Sequence, residues 1–174
     1  MLYNIGIKLY MEEMMVCCFT GHRKITPTHM LKLPELLENE IERLIVAGVD
    51  TFRGGGAIGF DTLAELKVIE KKKQYGFIKL ELILPCRDQT KKWGERDRTI
   101  YEYIASEADS IEYISDIYNS HCMHERNRRL VSGSDFCLTY FSHTSGGTAY
   151  TVNYAISHSV EVINLFNMIE NNIE

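Results

Sequence analysis

Apolar positions along this chain come in short blocks separated by longer amphipathic stretches. VCCFTG (16–21), VDTFR (49–53), IKLELILPC (78–86), SIEYIS (110–115), DFCLTYF (135–141) and VEVINLF (160–166) each read as a short strand. Between them, helical spacing of apolar residues predicts helices over 27–47 with a break at Pro34, then 60–75, 91–108, 122–132 and 148–158. In the helix over 60–75, Leu63, Leu66 and Ile69 fall on one face. Strands alternating with helices predict a mostly parallel sheet covered on both sides and joined by right-handed crossovers. The expected fold class is therefore α/β, a Rossmann-like three-layer sandwich, with a single domain over 14–174. Residues 1–13 read as an N-terminal extension, because the first strong strand starts near Met14 or Met15, and Met11 and Met14 could each serve as a translation start. The acidic tail MIENNIE (168–174) reads as a frayed end or a short last helix.

In an open parallel sheet, ligands sit beyond the carboxyl ends of the strands, so the residues that follow each strand carry the chemistry. The first strand runs into Gly21, His22 and Arg23. The second ends at Arg53 and enters the run Gly54, Gly55, Gly56, with Gly59 and Asp61 opening the next helix. The third leads to Arg87, and the fifth to HTSGGT (143–148), which contains Ser145, Gly146, Gly147 and Thr148. Gly54, Gly56 and Gly59 fit the G-x-G-x-x-G spacing, whose glycines allow a tight turn and close approach of backbone to phosphate. The same spacing also describes a plain structural turn. Two glycine loops at predicted helix N-termini, with arginines beside them, favour an anion site.

Several residues have two readings. Arg23 reads as a phosphate ligand with His22 as its hydrogen-bonding neighbour, or both as part of an exposed turn. Asp61 reads as a helix cap, or as a ligand contact to a ribose hydroxyl, or as a general base should the chain be an enzyme. On a helix over 122–132, Arg126 and Arg129 share a face while Arg128 points elsewhere, so Arg126 is the choice for a ligand and Arg129 for a solvated face. Trp93 reads as a base-stacking platform, or as packing against the sheet. His121, Cys122 and His124 are close in sequence, but zinc wants about four converging ligands and no second cluster has the usual spacing, so no metal is expected.

Composition narrows the setting. The chain has 174 residues, 45% hydrophobic and 25% charged, and no apolar run reaches the roughly 20 residues a membrane span needs. Its five cysteines show no CxxC pair and fall mostly in apolar segments, which fits buried free thiols and a cytoplasmic setting. The formal charge of -5 argues against a general nucleic-acid binder, since such proteins use excess Lys and Arg to displace counterions.

FTGHR (19–23), GGAIGFD (55–61), Pro85, Cys86, Gln89 and Trp93, ERNRRLVSGSD (125–135) and SGGT (145–148) together resemble the YpsA/YoqJ-like branch of the SLOG superfamily over about residues 15–166. The resemblance implies a Rossmann-like domain that binds nucleotides or nucleotide-derived ligands. It also implies kinship to the LOG phosphoribohydrolases and to the DNA-processing protein DprA. Against the LOG pattern, Met123-His124-Glu125-Arg126-Asn127 matches the segment holding that family's catalytic arginine, at Arg126, and Ser134-Asp135 matches the next. The third part departs: Ser145 replaces a proline, and Asn153 stands where the catalytic glutamate is expected. Cleavage of an N-glycosidic bond passes through an oxocarbenium-like state that a carboxylate stabilises, so an amide there argues against LOG-type hydrolysis.

The expected function is binding of a nucleotide or nucleotide derivative as a sensor or regulatory module. The ligand residues are Gly21, His22, Arg23, Arg53, Gly54, Gly55, Gly56, Gly59, Asp61, Arg87, Glu125, Arg126, Ser145, Gly146, Gly147 and Thr148. No cofactor is assigned beyond that nucleotide-type ligand. The partners expected are that small molecule and a second copy of the chain or a protein effector. A nucleotide N-glycosidic-bond hydrolase is the first alternative, and DprA-like single-stranded DNA binding the second.

Overall fold

The computed structural model describes residues 14–142 and 145–171, so the proposed extension over 1–13 and the last three residues of the tail lie outside the described residues. The strands are β1 (Met15–Gly21), β2 (Val49–Gly54), β3 (Lys79–Cys86), β4 (Ser110–Ser115), β5 (Phe136–Tyr140) and β6 (Glu161–Asn164). They form one six-stranded sheet in the order β4-β3-β2-β1-β5-β6. Every pairing in it is parallel. The helices are α1 (Pro27–Met30), α2 (Leu33–Val46), α3 (Phe60–Gln74), α4 (Glu95–Glu107), α5 (Cys122–Val131), α6 (Gly147–Ser157) and α7 (Leu165–Asn171).

Strand periodicity separates two cores. Cys17 and Phe19 of β1, with Leu82 and Leu84 of β3, face α2, α3, α4 and α7. Cys18, Ile83 and Cys137 face the other way, onto Leu130 and Val131 of α5 and Ala155 of α6. The three layers follow from a period of two on strands buried on both faces. All five cysteines are free and buried, small core residues in effect.

The predicted helix over 27–47 divides into α1 and α2. Pro34 sits in the first turn of α2, where its missing N–H costs nothing, and Leu33, Leu37, Ile41 and Leu44 form the buried stripe. α4 starts at Glu95 rather than 91, which leaves Trp93 in the preceding loop, edge-on to Tyr101 at 5.6 Å. β6 ends at Asn164, and the apolar residues after it belong to α7, where Leu165 and Ile169 are buried. In α3 the buried stripe runs through Phe60, Asp61, Ala64, Glu65, Val68 and Ile69; of the face predicted through Leu63, Leu66 and Ile69, only Ile69 is fully buried, and the stripe is turned one step round from Leu63 and Leu66. That displacement brings two carboxylates into the interior.

The chain builds outward from β1 through β2 and β3 to β4 along one face, then returns to lay β5 on the other side of β1. Strand order reverses between β1 and β5, so the loops leaving their carboxyl ends diverge and open a crevice. Among the described residues, no helix is long and apolar enough to cross a membrane.

Candidate functional site

A cavity of about 400 Å³ occupies this crevice. The end of β1 lines it through Gly21, His22 and Arg23, α3 through Asp61, α5 through Met123, Arg126 and Asn127, and the turn into α6 through Ser145 to Thr148. Backbone and side chains hold the loop after β1 in place. His22 N–H donates to the Tyr140 carbonyl at 3.0 Å, Phe60 N–H donates to the His22 carbonyl at 3.1 Å, and His22 Nε2 accepts from Ser142 N–H at 2.9 Å.

The N-terminus of α6 opens directly onto the cavity. Gly146, at φ 95°, turns the chain into the helix, a backbone region that glycine enters without the clash an L side chain meets. Gly146 at the N-cap offers no side chain to cap the helix and, among the described residues, no acidic one lies in its first turn, which leaves the leading N–H groups and the positive end of the dipole suited to an anion. Thr148 Oγ1 donates to the Gly21 carbonyl at 3.1 Å, and Asn127 Nδ2 reaches the Gly147 carbonyl at 3.5 Å, which ties this terminus to β1 and α5.

Beneath the cavity lies a buried charged cluster. Arg126, Asp61 and Glu65 are 6%, 3% and 1% exposed. The Arg126 guanidinium approaches Asp61 Oδ2 at 3.8 Å, makes no hydrogen bond to any described residue, and has an Nε sealed from solvent without a partner. Burial pushes the Asp61 carboxyl up to about 6, against the pull of Arg126 and of backbone groups at Ala57 and Gly21. Glu65 is raised well above the usual carboxylate range, by burial first and by the neighbouring Asp61 second. Burial lowers Arg126 from its ordinary value, which the two carboxylates resist. An arginine with unfilled donors at the floor of a cavity, between acids of perturbed acidity, is an arrangement suited to holding an anion.

The glycine run after β2 faces inward. Gly56 N–H donates to Glu65 Oε1 at 2.8 Å. A Cβ at Gly54 would collide with the Glu65 carboxylate, one at Gly55 with the Arg126 guanidinium, and one at Gly59 with the Arg23 backbone. These glycines make room for the protein's own charged groups. The carboxylates of Asp61 and Glu65 take the position at this loop that an external phosphate would fill in a dinucleotide-binding turn.

A family model described as the YspA SLOG family matches residues 17–170. The chain belongs to this family. A UPF0398 protein of Brevibacillus brevis is 30% identical over 122 residues, covering 67% of this chain and 59% of the relative. One of Bacillus pumilus is 26% identical over 126 residues, covering 71% and 68%. The SLOG chain thus matches about three fifths of the length of the Brevibacillus relative. Among solved structures, DNA processing protein A of Streptococcus pneumoniae superposes with a TM-score of 0.61 at 13% identity, over 87% of this chain and 50% of that one. That of Helicobacter pylori, described by its single-stranded DNA binding mode, superposes at 0.63 and 16%, over 85% and 63%. At such identities the likeness is one of fold.

These neighbours overturn the expectation that the charge of -5 sets nucleic acid aside as a partner. Net charge sums the whole surface and so does not report what any one edge of the molecule presents.

Of the residues singled out in sequence, Gly21, His22, Arg23, Asp61, Arg126, Ser145, Gly146, Gly147 and Thr148 meet around the cavity. Gly54, Gly55, Gly56 and Gly59 support it from behind without lining it. Three others lie elsewhere. Arg53 pairs with Glu81 at 2.9 Å, donates to the Ser132 carbonyl and lines a separate pocket with Arg129. Arg87 pairs with Asp116 at 3.1 Å and lies over the Tyr113 ring. Glu125 points outward from α5 and is exposed. Arg53 is misplaced for the reason strands alternate: its side chain leaves the sheet face, whereas the cavity lies beyond the strand ends. Reading the sequence missed Glu65, Asn127 and Thr20. Glu65 carries a signal, since it stands four residues after Asp61 in register with Ala64 and Val68, a polar pair inside an apolar stripe.

Proposed function

We propose that this chain binds a nucleotide or nucleotide-derived ligand through its phosphate, in the crevice between β1 and β5, and acts as a sensor or regulatory module. The observation that carries this reading is the buried Arg126 guanidinium, which lines the cavity without a hydrogen bond and faces the uncapped N-terminus of α6. Leaving buried donors unsatisfied costs free energy, on the order of 1–3 kcal/mol for each. An anion seated between Arg126 and the α6 terminus would accept from the part of the guanidinium that lines the cavity and add the charge-assisted bonds it lacks. Thermal-shift and calorimetric titration with AMP, GMP, NAD and ADP-ribose tests the reading, with saturable binding expected for at least one and weakened in Arg126→Ala. A well-folded protein that binds none of them would overturn it.

A second reading takes the same phosphate chemistry from a single DNA strand, as the Helicobacter structure's description suggests for that protein. A single-stranded oligonucleotide in the same titration distinguishes the two. Strand binding falls steeply with added salt because several phosphates release counterions, whereas a single nucleotide gives a shallow slope. The hydrolase reading has less support. Asn153 is exposed on α6 and does not line the cavity, which leaves Asp61 as the carboxylate there. No base release above background is expected. Release that depended on both Arg126 and Asp61 would replace the sensor reading with an enzymatic one.

A further inference from the structure

The cluster under the cavity contains two carboxylates for one guanidinium, all three closed off from solvent. With both acids ionised it carries one net negative charge in a region of low dielectric, directly beneath the place where the proposed ligand adds more. Water cannot screen that excess, and the cluster has no second cation of its own. Arg23, the other positive group facing Asp61, stands exposed on the loop after β1.

We propose that an anion enters this cavity together with a proton, which the Asp61–Glu65 pair takes up from solvent, so that occupancy of the site depends on pH as well as on ligand. This rests on the nucleotide reading above and adds a regulation to it. The mechanism is competition for Arg126. The guanidinium lies 3.8 Å from Asp61 Oδ2 and makes no hydrogen bond to a described residue. A phosphate drawing on those donors removes part of the compensation for Asp61 and sets a like charge beside it, and both effects favour the neutral acid. The proton then rests on a carboxyl oxygen of Asp61 or Glu65, and the charge added by the ligand is partly cancelled where it would be most costly.

The groups facing the pair are few. Arg126 approaches from α5, Arg23 from the loop after β1, Tyr101 from α4 and Cys137 from β5. Cys137 and Tyr101, both held in the neutral form by burial and neighbours, supply no charge that would replace the proton. Gly56 N–H donates to Glu65 Oε1, so this contact engages one of the two carboxyl oxygens. The pair can therefore hold a proton without breaking the loop contact that shapes the site.

The sign follows from linkage. A group that holds its proton more tightly in the complex than in the free protein makes binding tighten as pH falls, between its acidity in the complex and its acidity in the free protein. For one proton the limit is about tenfold in affinity per pH unit. Below the free-protein value the dependence flattens.

The test is calorimetry at pH 7 in two buffers of different ionisation enthalpy, run with each nucleotide of the panel that binds, AMP and ADP-ribose first. ADP-ribose is included because its pyrophosphate does not titrate in this range, so any proton must come to the protein. Uptake of about half to one proton per ligand is expected for the wild type. Asp61→Asn or Glu65→Gln should lose most of it, and affinity should rise between pH 8 and pH 6 in the wild type but hardly in the variant that lost the uptake. Binding with no proton taken up by the wild type overturns this proposal and leaves the nucleotide reading standing. Uptake that persists in both variants also overturns it, because the proton then goes elsewhere. If no nucleotide binds at either pH, both readings fall together.

Discussion

Arg126 is the residue on which the site depends. Arg126→Ala should weaken nucleotide binding by about 1–3 kcal/mol, the range for a charge-assisted hydrogen bond, measured by calorimetry. Arg129→Ala is the matched control: it lies on the same helix but pairs with Glu112 at 3.0 Å, beside a different pocket, and should leave affinity unchanged. Asp61 has a stability signature of its own. Its carboxyl rises from 3.8 to about 6 on folding, so the folded state binds more protons than the unfolded chain between those values, and stability falls as pH rises through that window. A rise of that size corresponds to up to about 3 kcal/mol. Asp61→Asn should therefore gain on the wild type from pH 4 to pH 6 and hold that gain above, read from urea midpoints at each pH. A constant difference across the range would show that Asp61 is not held in its buried, neutral-favouring setting.

At the scale of elements, the two glycine loops have different jobs, and substitutions should separate them. In the loop between β2 and α3, a Cβ at Gly55 would collide with the Arg126 guanidinium and one at Gly56, at φ 61°, with Leu84. Gly55→Ala should therefore destabilise the unliganded protein by about 1–3 kcal/mol, the range for overpacking, seen in chemical denaturation without any ligand. At the N-terminus of α6, a Cβ at Gly147 would meet nothing closer than Asn127 Nδ2 at 3.9 Å. Gly147→Val should leave the unfolding free energy within about 1 kcal/mol, since valine is no poorer a helix former than glycine, yet narrow the cavity and weaken nucleotide binding. Equal losses of stability in the two variants would contradict this division between an internal support and an open anion site.

Across the whole molecule, the crevice depends on layers far from it. His29 of α1 is buried, bridges Tyr140 Oη at 2.9 Å and Glu170 of α7 at 2.8 Å, and so ties the first and last helices to the end of β5. Leu165 and Ile169 of α7 add two fully buried side chains to the larger core. Truncation after Asn164 removes both and the Glu170 partner. Burial of side chains of this size is worth about 1.5–3 kcal/mol each, so a loss of roughly 3–6 kcal/mol is expected, measured as a fall in thermal midpoint. Because Tyr140 also receives the His22 N–H that positions the loop after β1, the same truncation should weaken ligand binding before the protein unfolds.

Local patterning was enough to specify the six strands, the helices between them and the parallel sheet, because burial on one face or both leaves its period in the chain wherever packing is regular. The residues after β1 and β5 were legible for the same reason: in a parallel sheet the strand ends meet at one edge whatever the loops contain. Which charged side chains enter that edge was decided by the tertiary structure. Arg53 follows a strand and stands next to a glycine run, yet it leaves on the sheet face and pairs with Glu81. Glu65 looks like one acid among several on α3, and only the rotation of that helix against β1 and β2 carries it inward to meet Gly56. The glycines themselves signalled close approach, but not of what. A missing Cβ records that something must come near the backbone, and here the neighbours are Arg126, Glu65 and Leu84, brought there by contacts too distant in sequence for any local pattern to register.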